Sequence, residues 1–526
     1  MTSILKYLNR ALLVLLLAAF AACSDNEGGN ESNGNGDDSN TETPADGDTY
    51  GYIKDTNGNP VEGVVVSDGY SCTVTDAEGR YALTRNADAG FVFYSLPSAY
   101  KVSVDKTYKL PRFFARLQAG TARYDFTLEA LAAPEKRFDL ICIGDPQINE
   151  ASHAVRFKEE AGREIREYAA SAGVPCYGIT LGDHVNNKWT LFTNMVVALQ
   201  PEQTGVPVFA TIGNHDHEFP TADEKAARAK YESYFGPVDY SFNRGDVHVV
   251  SMDNVIHNCK ASADYEGGFT AAQYEWLKQD LSFVPKDKMV ILCVHIPFRG
   301  GWGTNSAHAD ADKYYDEVLD LLSQYEYAAI MSAHTHSNIN YIHRKNGKEI
   351  FEHVTGTTCG AWWRSTVCTE GTPIGFGLYR IDGNLMEEWA YRSVRHDEQF
   401  QIRLYRASDT FVGGAKYRFK QTGADQIVAN IWNWDPSWTV NVYENDVLSG
   451  QMTRNSDIDA WTVAYHIGLL NNTDSYRKSS DHMFHYTLKN PAAAVRVEAI
   501  DRFGNKYEQT VFTDPAEHPG DFHADF

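Results

Sequence analysis

The chain has 526 residues, of which 43% are hydrophobic and 13% aromatic, and its formal net charge is −23. This length exceeds the usual size of a domain with a single hydrophobic core, so several domains are expected. An acidic protein repels nucleic acids and anionic membranes at long range, which disfavours both as partners. A small phosphorylated substrate stays possible, because bound cations can reverse the local field.

The N-terminus has the features of an export signal. Lys6 and Arg10 precede the apolar residues 11–20, a stretch of signal-peptide length that is too short for a comfortable membrane span. Small residues lead directly to Cys23, a pattern that resembles a bacterial lipoprotein signal and implies lipid attachment to the Cys23 sulfur. We therefore interpret residues 1–23 as signal peptide and lipobox. The expected protein is an exported lipoprotein of the outer membrane, on its surface or periplasmic face, held to the membrane only by that lipid.

Composition and periodicity divide the rest of the chain. Residues 24–48 are polar and acidic without Lys or Arg, which predicts a disordered linker. Residues 49–133 alternate valines with turn signals and predict a β-sandwich domain. Residues 398–526 return to strand-like sequence rich in tryptophan and predict a second β domain. Between them, residues 134–397 alternate strands with helices, which indicates an α/β sandwich.

One long helical pattern is visible in the α/β region, over residues 151–172. Five short motifs rich in Asp, Asn and His occur in the same region, and most of them end or follow a predicted strand. The motifs are Gly144–Gln147, Leu181–His184, Gly213–Asp216, Val294–Pro297 and Ala333–His336. Open α/β sheets bind ligands at the carboxyl ends of their strands, so these side chains form a candidate site.

The residue types in these motifs suit two metal ions. Two hard cations about 3.5–4 Å apart can clamp an attacking and a leaving oxygen, and a solvent molecule between them becomes the nucleophile. One carboxylate should bridge the cations, and Asp183 is the natural candidate. Imidazoles and an amide oxygen would fill the outer positions. The absence of a thiolate from this set favours Mn, Fe or Zn.

In order and spacing, the five motifs resemble the calcineurin-like metallophosphoesterase family. The resemblance covers about the middle half of the chain, and the flanking β domains resemble a three-domain exported bacterial subgroup. It implies a central four-layer α/β/β/α sandwich flanked by two all-β domains. It also implies a set of metal ligands: Asp145, Gln147, Asp183, Asn214, His295, His334 and His336.

The resemblance assigns roles within that set. Asp145, Asp183 and His336 match ligands of the first metal, whereas Asp183, Asn214, His295 and His334 match ligands of the second. His215 matches the general acid or transition-state stabiliser, and Asp216 would orient its imidazole.

Two motif positions depart from the family pattern. Gln147 stands where the family usually has histidine, and its amide oxygen is a weaker ligand than imidazole, so the first site would bind metal less tightly. Ala333 stands where the family usually has glycine, a small change that concerns backbone approach.

Weaker candidates lie near the motifs. Arg299 could pair with a substrate phosphate or form a surface ion pair. Trp362 and Trp363 could wall the substrate pocket, or they could pack a domain interface. His184 and His217 flank predicted ligands, and each could support a ligand or be exposed.

The predicted function is hydrolysis of a phosphomonoester or phosphodiester by a hydroxide that bridges two divalent or trivalent cations. His215 would assist departure of the alkoxide. The alternative is an envelope lipoprotein that binds a glycan or other ligand and keeps a weak or vestigial metal site. Gln147 and the tryptophan-rich tail motivate the alternative, whereas the intact pair of His215 and Asp216 argues against it.

Overall fold

The computed structural model describes residues 47–261, 264–299, 313–408 and 425–513. Cys23, the signal peptide and nearly all of the acidic linker lie outside the described residues, so lipidation and export stay predictions. Within the described ranges, no helix has both the length and the apolar composition that a membrane crossing requires.

The N-terminal β region begins the described fold and contains two sheets. The strand orders are β4-β1-β7 and β3-β2-β5-β6. Ile53, Val66, Val92 and Leu128 are fully buried in its core. The strands are β1 (Thr49–Asp55), β2 (Val65–Ser67), β3 (Cys72–Val74), β4 (Arg80–Leu83), β5 (Phe91–Tyr94), β6 (Phe114–Arg116) and β7 (Phe126–Leu128).

The middle of the chain forms two larger sheets and a two-stranded hairpin, β13-β14. The larger sheets have the orders β10-β9-β8-β19-β20 and β11-β12-β15-β16-β18-β17. The strands are β8 (Arg137–Ile143), β9 (Cys176–Leu181), β10 (Val208–Thr211), β11 (Tyr240–Arg244), β12 (Val247–Ser251), β13 (Val255–His257), β14 (Tyr265–Gly267), β15 (Met289–Cys293), β16 (Tyr327–Ser332), β17 (Ile339–Lys345), β18 (Lys348–Val354), β19 (Gly375–Asp382) and β20 (Leu385–Ser393).

Helices cover the outer faces of these sheets. Leu140 and Cys142 of β8 share one core with the second sheet, whereas the intervening Ile141 and Ile143 pack with the helices. This alternation confirms the α/β class and the four-layer sandwich. The helices are α1 (Ala151–Phe157), α2 (Arg163–Ser171), α3 (Phe192–Ala198), α4 (Pro201–Thr204), α5 (Glu224–Phe235), α6 (Ala271–Ser282) and α7 (Tyr315–Leu322).

The helix predicted over residues 151–172 is interrupted. A π-helical turn, Lys158–Gly162, separates α1 from α2. Within that turn Glu160 is buried, and its Oε1 accepts hydrogen bonds of 2.9 Å from both Arg156 and Arg395. The extra residue of a π turn changes the side-chain phase, and here it accompanies a buried carboxylate held by two guanidinium groups.

The C-terminal β region contains two four-stranded sheets and a short helix. The strand orders are β21-β22-β26-β25 and β24-β23-β27-β28. Trp432, Trp438 and Trp461 are buried, so core packing accounts for much of the tryptophan content that motivated a binding role. The elements are β21 (Ile402–Arg406), β22 (Gln426–Ile431), β23 (Thr439–Glu444), β24 (Val447–Gln451), β25 (Thr453–Ile458), α8 (Ala460–Val463), β26 (Ser479–Thr487), β27 (Val495–Ile500) and β28 (Lys506–Gln509).

The N-terminal β region packs against helix α6. Trp276 of α6 is fully buried, and its Nε1 donates a 3.0 Å hydrogen bond to Ser67 Oγ. Its ring lies edge-on to Phe93, with 6.5 Å between the ring centroids. Gln279, one turn further along, bonds the backbone of Tyr70 and Cys72. Trp276 therefore holds the N-terminal β region to the sandwich.

Replacing Trp276 with alanine should lower the free energy of unfolding by roughly 3–5 kcal/mol, because the change leaves a cavity and removes the hydrogen bond to Ser67. Urea unfolding measures the change. The matched control is Glu275→Ala, since the neighbouring Glu275 side chain is 59% exposed and its loss should cost no more than about 0.5 kcal/mol. Equal midpoints for the two variants would contradict the anchoring role of Trp276.

Candidate metal centre

All five motifs begin where a strand ends. Asp145 follows β8 and Asp183 follows β9, in parallel neighbouring strands of the first sheet. His295 follows β15 and His334 follows β16, in parallel neighbouring strands of the second sheet. Asn214 follows β10 and opens a 3₁₀ turn. The carboxyl ends of strands from both sheets therefore contribute to one site.

The backbone at these strand ends is left-handed. The φ angles of Asp145 and Gln147 are both 37°, and those of Asp183, His334 and His336 are 53°, 66° and 56°. A residue with a Cβ atom adopts this conformation at a cost of roughly 1–3 kcal/mol. Five such residues in one place indicate that the surrounding structure holds these side chains in a fixed orientation for a function.

Two glycines let the motifs approach one another. A Cβ atom on Gly213 would lie 2.3 Å from both the amide nitrogen and Oδ1 of Asp183. Gly182 has a φ of 96°, and a Cβ atom there would lie 2.5 Å from Nδ1 of His295. Neither position leaves room for a side chain, so both glycines are required by the close packing of the site.

The buried carboxylate of Asp183 lies at the middle of the cluster. Its Oδ1 accepts a 2.8 Å hydrogen bond from the backbone N–H of His215 and lies 3.4 Å from Nε2 of His295. Its Oδ2 lies 3.1 Å from Nε2 of Gln147 and 4.0 Å from Nε2 of His215. The two oxygens face different groups of predicted ligands, which is the geometry that a bridging carboxylate needs.

Acceptor atoms converge around His295. Its Nδ1 donates to the carbonyl oxygen of Leu181 at 2.7 Å, so Nε2 of the neutral ring carries a lone pair. That Nε2 lies 2.9 Å from Oδ1 of Asn214 and 3.1 Å from Nδ1 of His334. Ligand atoms of Asp183, His295 and His334 all lie within 4.8 Å of one another. Only a shared proton or a cation stabilises acceptors at such distances, so this set fits a metal ion.

A second group of oxygens points to the other cation position. Asp145 Oδ2 accepts a 3.0 Å hydrogen bond from the backbone N–H of His334. Asp145 Oδ1 and Gln147 Oε1 are buried, and neither has a hydrogen-bond partner among the described residues. Asp145 Oδ1 also lies 3.7 Å from Nε2 of His336. Buried oxygens are rarely left unpaired, and a cation between these three side chains would satisfy them.

The charges in the site perturb one another. Burial would lower the pKa of His295, but the carboxylates of Asp183 and Asp145 outweigh it and raise that pKa to about 9. Burial raises the pKa of Asp145 well above its ordinary value, and it lowers the pKa of His336 to about 3. Burial also opposes ionisation of Asp183, yet neighbouring His295 and His215 hold its pKa below the ordinary value. Without metal, the buried carboxylates therefore retain protons on or beside them.

Three family models match consecutive stretches of the chain. The N terminal of calcineurin-like phosphoesterase matches residues 48–131, calcineurin-like phosphoesterase itself matches residues 124–338, and the C terminal of calcineurin-like phosphoesterase matches residues 352–507. The chain belongs to the calcineurin-like phosphoesterase family. The resemblance that the five motifs carry is thereby confirmed.

Curated relatives match only parts of this chain. Purple acid phosphatases 23 and 18 of Arabidopsis thaliana are 26% and 25% identical to it over 181 and 182 residues. These segments cover 31% and 32% of the chain and 36% and 38% of the two plant proteins. The chain thus spans little more than a third of the length of these curated relatives.

Two solved structures are similar to parts of the chain. Purple acid phosphatase PPD1 from yellow lupin (Lupinus luteus) seeds has a TM-score of 0.35 and 14% identity, and the match covers 50% of this chain and 53% of that one. The 5'-nucleotidase precursor from Thermus thermophilus has a TM-score of 0.30 and 11% identity, with 49% and 54% covered.

The prediction that Asp216 orients the His215 imidazole is wrong. Asp216 Oδ2 accepts hydrogen bonds from the Gly213 N–H at 3.0 Å and from Nδ1 of His184 at 2.9 Å, and its Oδ1 accepts from the His184 N–H at 2.8 Å. The 3₁₀ turn directs this carboxylate inward, away from the ring of His215. Asp216 therefore holds the second and third motifs together, and His184 is a buried member of that network.

Asn187, which none of the five motifs includes, contacts the His215 ring. Nδ1 of His215 lies 2.9 Å from Oδ1 of Asn187, so the imidazole N–H donates to the amide oxygen. Trp189 Nε1 donates a 3.2 Å hydrogen bond to the His215 carbonyl oxygen and supports the same turn. The one signal in the sequence was that Asn187 comes four residues after Asp183, in the same loop. The backbone of Asn187 is left-handed, with a φ of 55°.

The tryptophan pair divides between two roles. Trp363 is buried, its Nε1 donates a 2.9 Å hydrogen bond to the Pro146 carbonyl oxygen, and its ring stacks on His153. It supports the first motif, so its prediction as a substrate contact is wrong. Trp362 is half-buried, and its ring centroid lies 4.9 Å from that of His336. It forms a wall beside the metal centre.

Arg299 lies at a different place from the one expected. Its guanidinium lies over the Tyr341 ring, 5.5 Å from the centroid, and it lines a cleft that contains none of the predicted metal ligands.

The His217 ring is buried and supports the third motif. Its Nδ1 lies 2.9 Å from the Gly213 carbonyl oxygen, and its Nε2 lies 3.1 Å from Oδ2 of Asp253.

Adding Mn²⁺ or Zn²⁺ to the metal-free protein should raise its free energy of unfolding by about 2.7 kcal/mol when the metal concentration is 100 times the dissociation constant. His334→Ala removes a ligand and should largely abolish this shift. His485→Gln is the control, because His485 lies on β26 and pairs with Asp457. Thermal unfolding with and without chelator measures the effect. A His334→Ala shift equal to that of wild type would refute the site.

Metal affinity should also rise with pH. The metal-free fold is stabilised by charged His295 below its unfolded pKa of about 6.5, and this contribution is lost as the pH passes about 9. A metal ion must displace that proton, so its dissociation constant should fall between pH 6 and pH 9. Titration calorimetry in buffers of different ionisation enthalpy would detect the released proton. A constant affinity over this range would contradict the competition.

Proposed function

We propose that the chain hydrolyses a phosphomonoester or phosphodiester of small size at a centre of two divalent or trivalent cations, Mn, Fe or Zn. The observation that carries the proposal is the cluster of buried acceptor atoms around His295 and Asp183, beside a half-buried histidine, His215. Membership of a phosphoesterase family supports the same reaction class.

Two groups of side chains would hold the cations, and Asp183 belongs to both. Asp145, Gln147 and His336 would complete the first group, and Asn214, His295 and His334 the second. Cations held there would polarise a phosphoryl oxygen and acidify a bound water. His295 is fixed in the required tautomer by its Nδ1 bond to Leu181, which leaves Nε2 directed into the site.

His215 is placed to move a proton. Its Nδ1–H donates to Asn187, which leaves Nε2 directed toward the site, 4.0 Å from Asp183 Oδ2. When Nε2 is protonated it can donate to the leaving oxygen as the ester bond breaks. The side chain is 23% exposed, so the proton can be replaced from solvent after each cycle.

The surroundings favour a small substrate over a polymer. Trp362 stands beside His336 on one side of the centre, and Tyr265 stands beside His334 on another, with its hydroxyl 3.4 Å from Nε2 of His334. Both rings offer apolar surface next to the phosphate position. The net charge of −23 opposes the approach of long polyanions.

Hydrolysis of p-nitrophenyl phosphate or its bis-ester in the presence of Mn²⁺ or Zn²⁺ tests the proposal. His215→Ala should lower kcat by about 10²–10⁴, because the proton donor is lost while the cation ligands remain. Asp183→Asn should remove measurable turnover, because both cation positions lose a ligand. His485→Gln should match wild type. Full activity in both site variants would show that the reaction occurs elsewhere.

Asn187→Ala should lower kcat by about 10–100-fold with little change in KM, because the His215 ring loses the acceptor that orients it. Asn187→Asp keeps an acceptor oxygen at the same place and should retain more activity than the alanine variant. Asn384→Ala is the control, since its amide bonds the backbone of Asp287 in a distant turn. The pH profile of kcat should shift in the Asn187→Asp variant alone. Wild-type kinetics in Asn187→Ala would remove this residue from the mechanism.

A further inference from the structure

A cleft lies between the edge strand β17 and strands β25 and β26 of the C-terminal β region. Its cavity volume is about 240 Å³. Three arginines line it: Arg299 comes after the fourth motif, Arg344 lies on β17, and Arg454 lies on β25. Asp481 is the one carboxylate among the described lining residues. Three guanidinium groups in one cleft are unexpected in a chain whose net charge is −23.

The arginines are only weakly neutralised. Arg344 pairs with Glu349 at 2.8 Å, but both side chains are exposed, at 71% and 47%, so the pair contributes little. Arg454 donates to the backbone oxygen of Asp481 at 2.9 Å and lies 4.0 Å from its carboxylate. Arg299 forms no ion pair within the described part of the chain. The cleft therefore keeps positive charge available for an incoming anion.

Aromatic rings hold two of the arginines in place. The Arg454 guanidinium lies 4.6 Å from the centroid of Trp434, and the Arg299 guanidinium lies 5.5 Å from the centroid of Tyr341. Stacking of this kind fixes the planar group while its N–H donors stay available. The same rings give the cleft apolar surface on which a ligand ring can pack.

We propose that this cleft is a second ligand site, which binds an organic anion: a phosphate or carboxylate group carried on a ring. The arginines bind the anionic group, and Tyr341 and Trp434 pack against the ring. The site is separate from the metal centre, since none of its lining residues is a predicted metal ligand. Its occupation does not depend on the phosphoesterase reaction.

Titration calorimetry with phenylphosphonate, which has an anionic group and a ring and cannot be hydrolysed as an ester, tests the proposal on the full chain loaded with Mn²⁺. Wild type should bind two equivalents, one at each site. Asp183→Asn should bind one equivalent, at the cleft. The double variant Arg344→Gln/Arg454→Gln should also bind one equivalent, at the metal centre. Its affinity at the cleft should be at least tenfold weaker than that of wild type.

The matched control is Lys101→Gln/Arg123→Gln, which removes two exposed charges from the N-terminal β region. It should bind as wild type does. Inorganic phosphate should bind the cleft more weakly than phenylphosphonate, because it offers no ring. Glucuronate should compete with phenylphosphonate in the Asp183→Asn variant.

Binding by Arg344→Gln/Arg454→Gln that equals the control would overturn the proposal, as would loss of all binding in Asp183→Asn. If the double variant fails to fold by circular dichroism, Arg299→Gln and Tyr341→Ala each provide a single change at the same cleft. These results are independent of the metal centre. Even if the chain had no phosphoesterase activity, replacing these arginines would still weaken binding at the cleft.

Discussion

Buried acceptor atoms crowd together where the two sheets of the sandwich meet, and the rest of the site depends on relieving that crowding. Nε2 of His295 lies 3.4 Å from Oδ1 of Asp183, 2.9 Å from Oδ1 of Asn214 and 3.1 Å from Nδ1 of His334. Protons or cations must lie among these atoms, because lone pairs repel at such separations. Close packing of these groups also explains why Gly182 and Gly213 have no space for a side chain. It accompanies the left-handed backbone of the candidate ligand residues.

The ligand positions were predictable because each one depends on local sequence. A buried strand ends, a polar residue follows, and parallel strands bring such ends together. Asp145, Asp183 and His295 satisfy this rule, and the structure places all three in one cluster of candidate ligands. The order and spacing of the motifs added the family, which single residues do not identify.

The hydrogen-bond partners of the site residues were not predictable in the same way. Asp216 is adjacent to His215 in sequence, yet the 3₁₀ turn directs its carboxylate toward His184. Asn187 is 28 residues from His215 and still contacts its ring. The direction of a side chain in a tight turn depends on backbone dihedrals that the surrounding fold imposes, and a linear pattern carries little information about them. Long-range packing limited the fold prediction as well: the helix over residues 151–172 is interrupted where buried Glu160 bonds an arginine from 235 residues later in the chain.

Strand β17 ends the six-stranded sheet, so one row of its backbone groups has no neighbouring strand within that sheet. The C-terminal β region covers the beginning of this strand through Asn340, whose amide donates to the backbone of Asn433. The far end of the strand carries charged side chains instead, Arg344 and Lys345, which pair with acidic residues near the sheet edge. Charged residues at an exposed sheet edge prevent two molecules from joining edge to edge. The arginine that makes the cleft attractive to anions therefore also protects the protein against self-association through this strand.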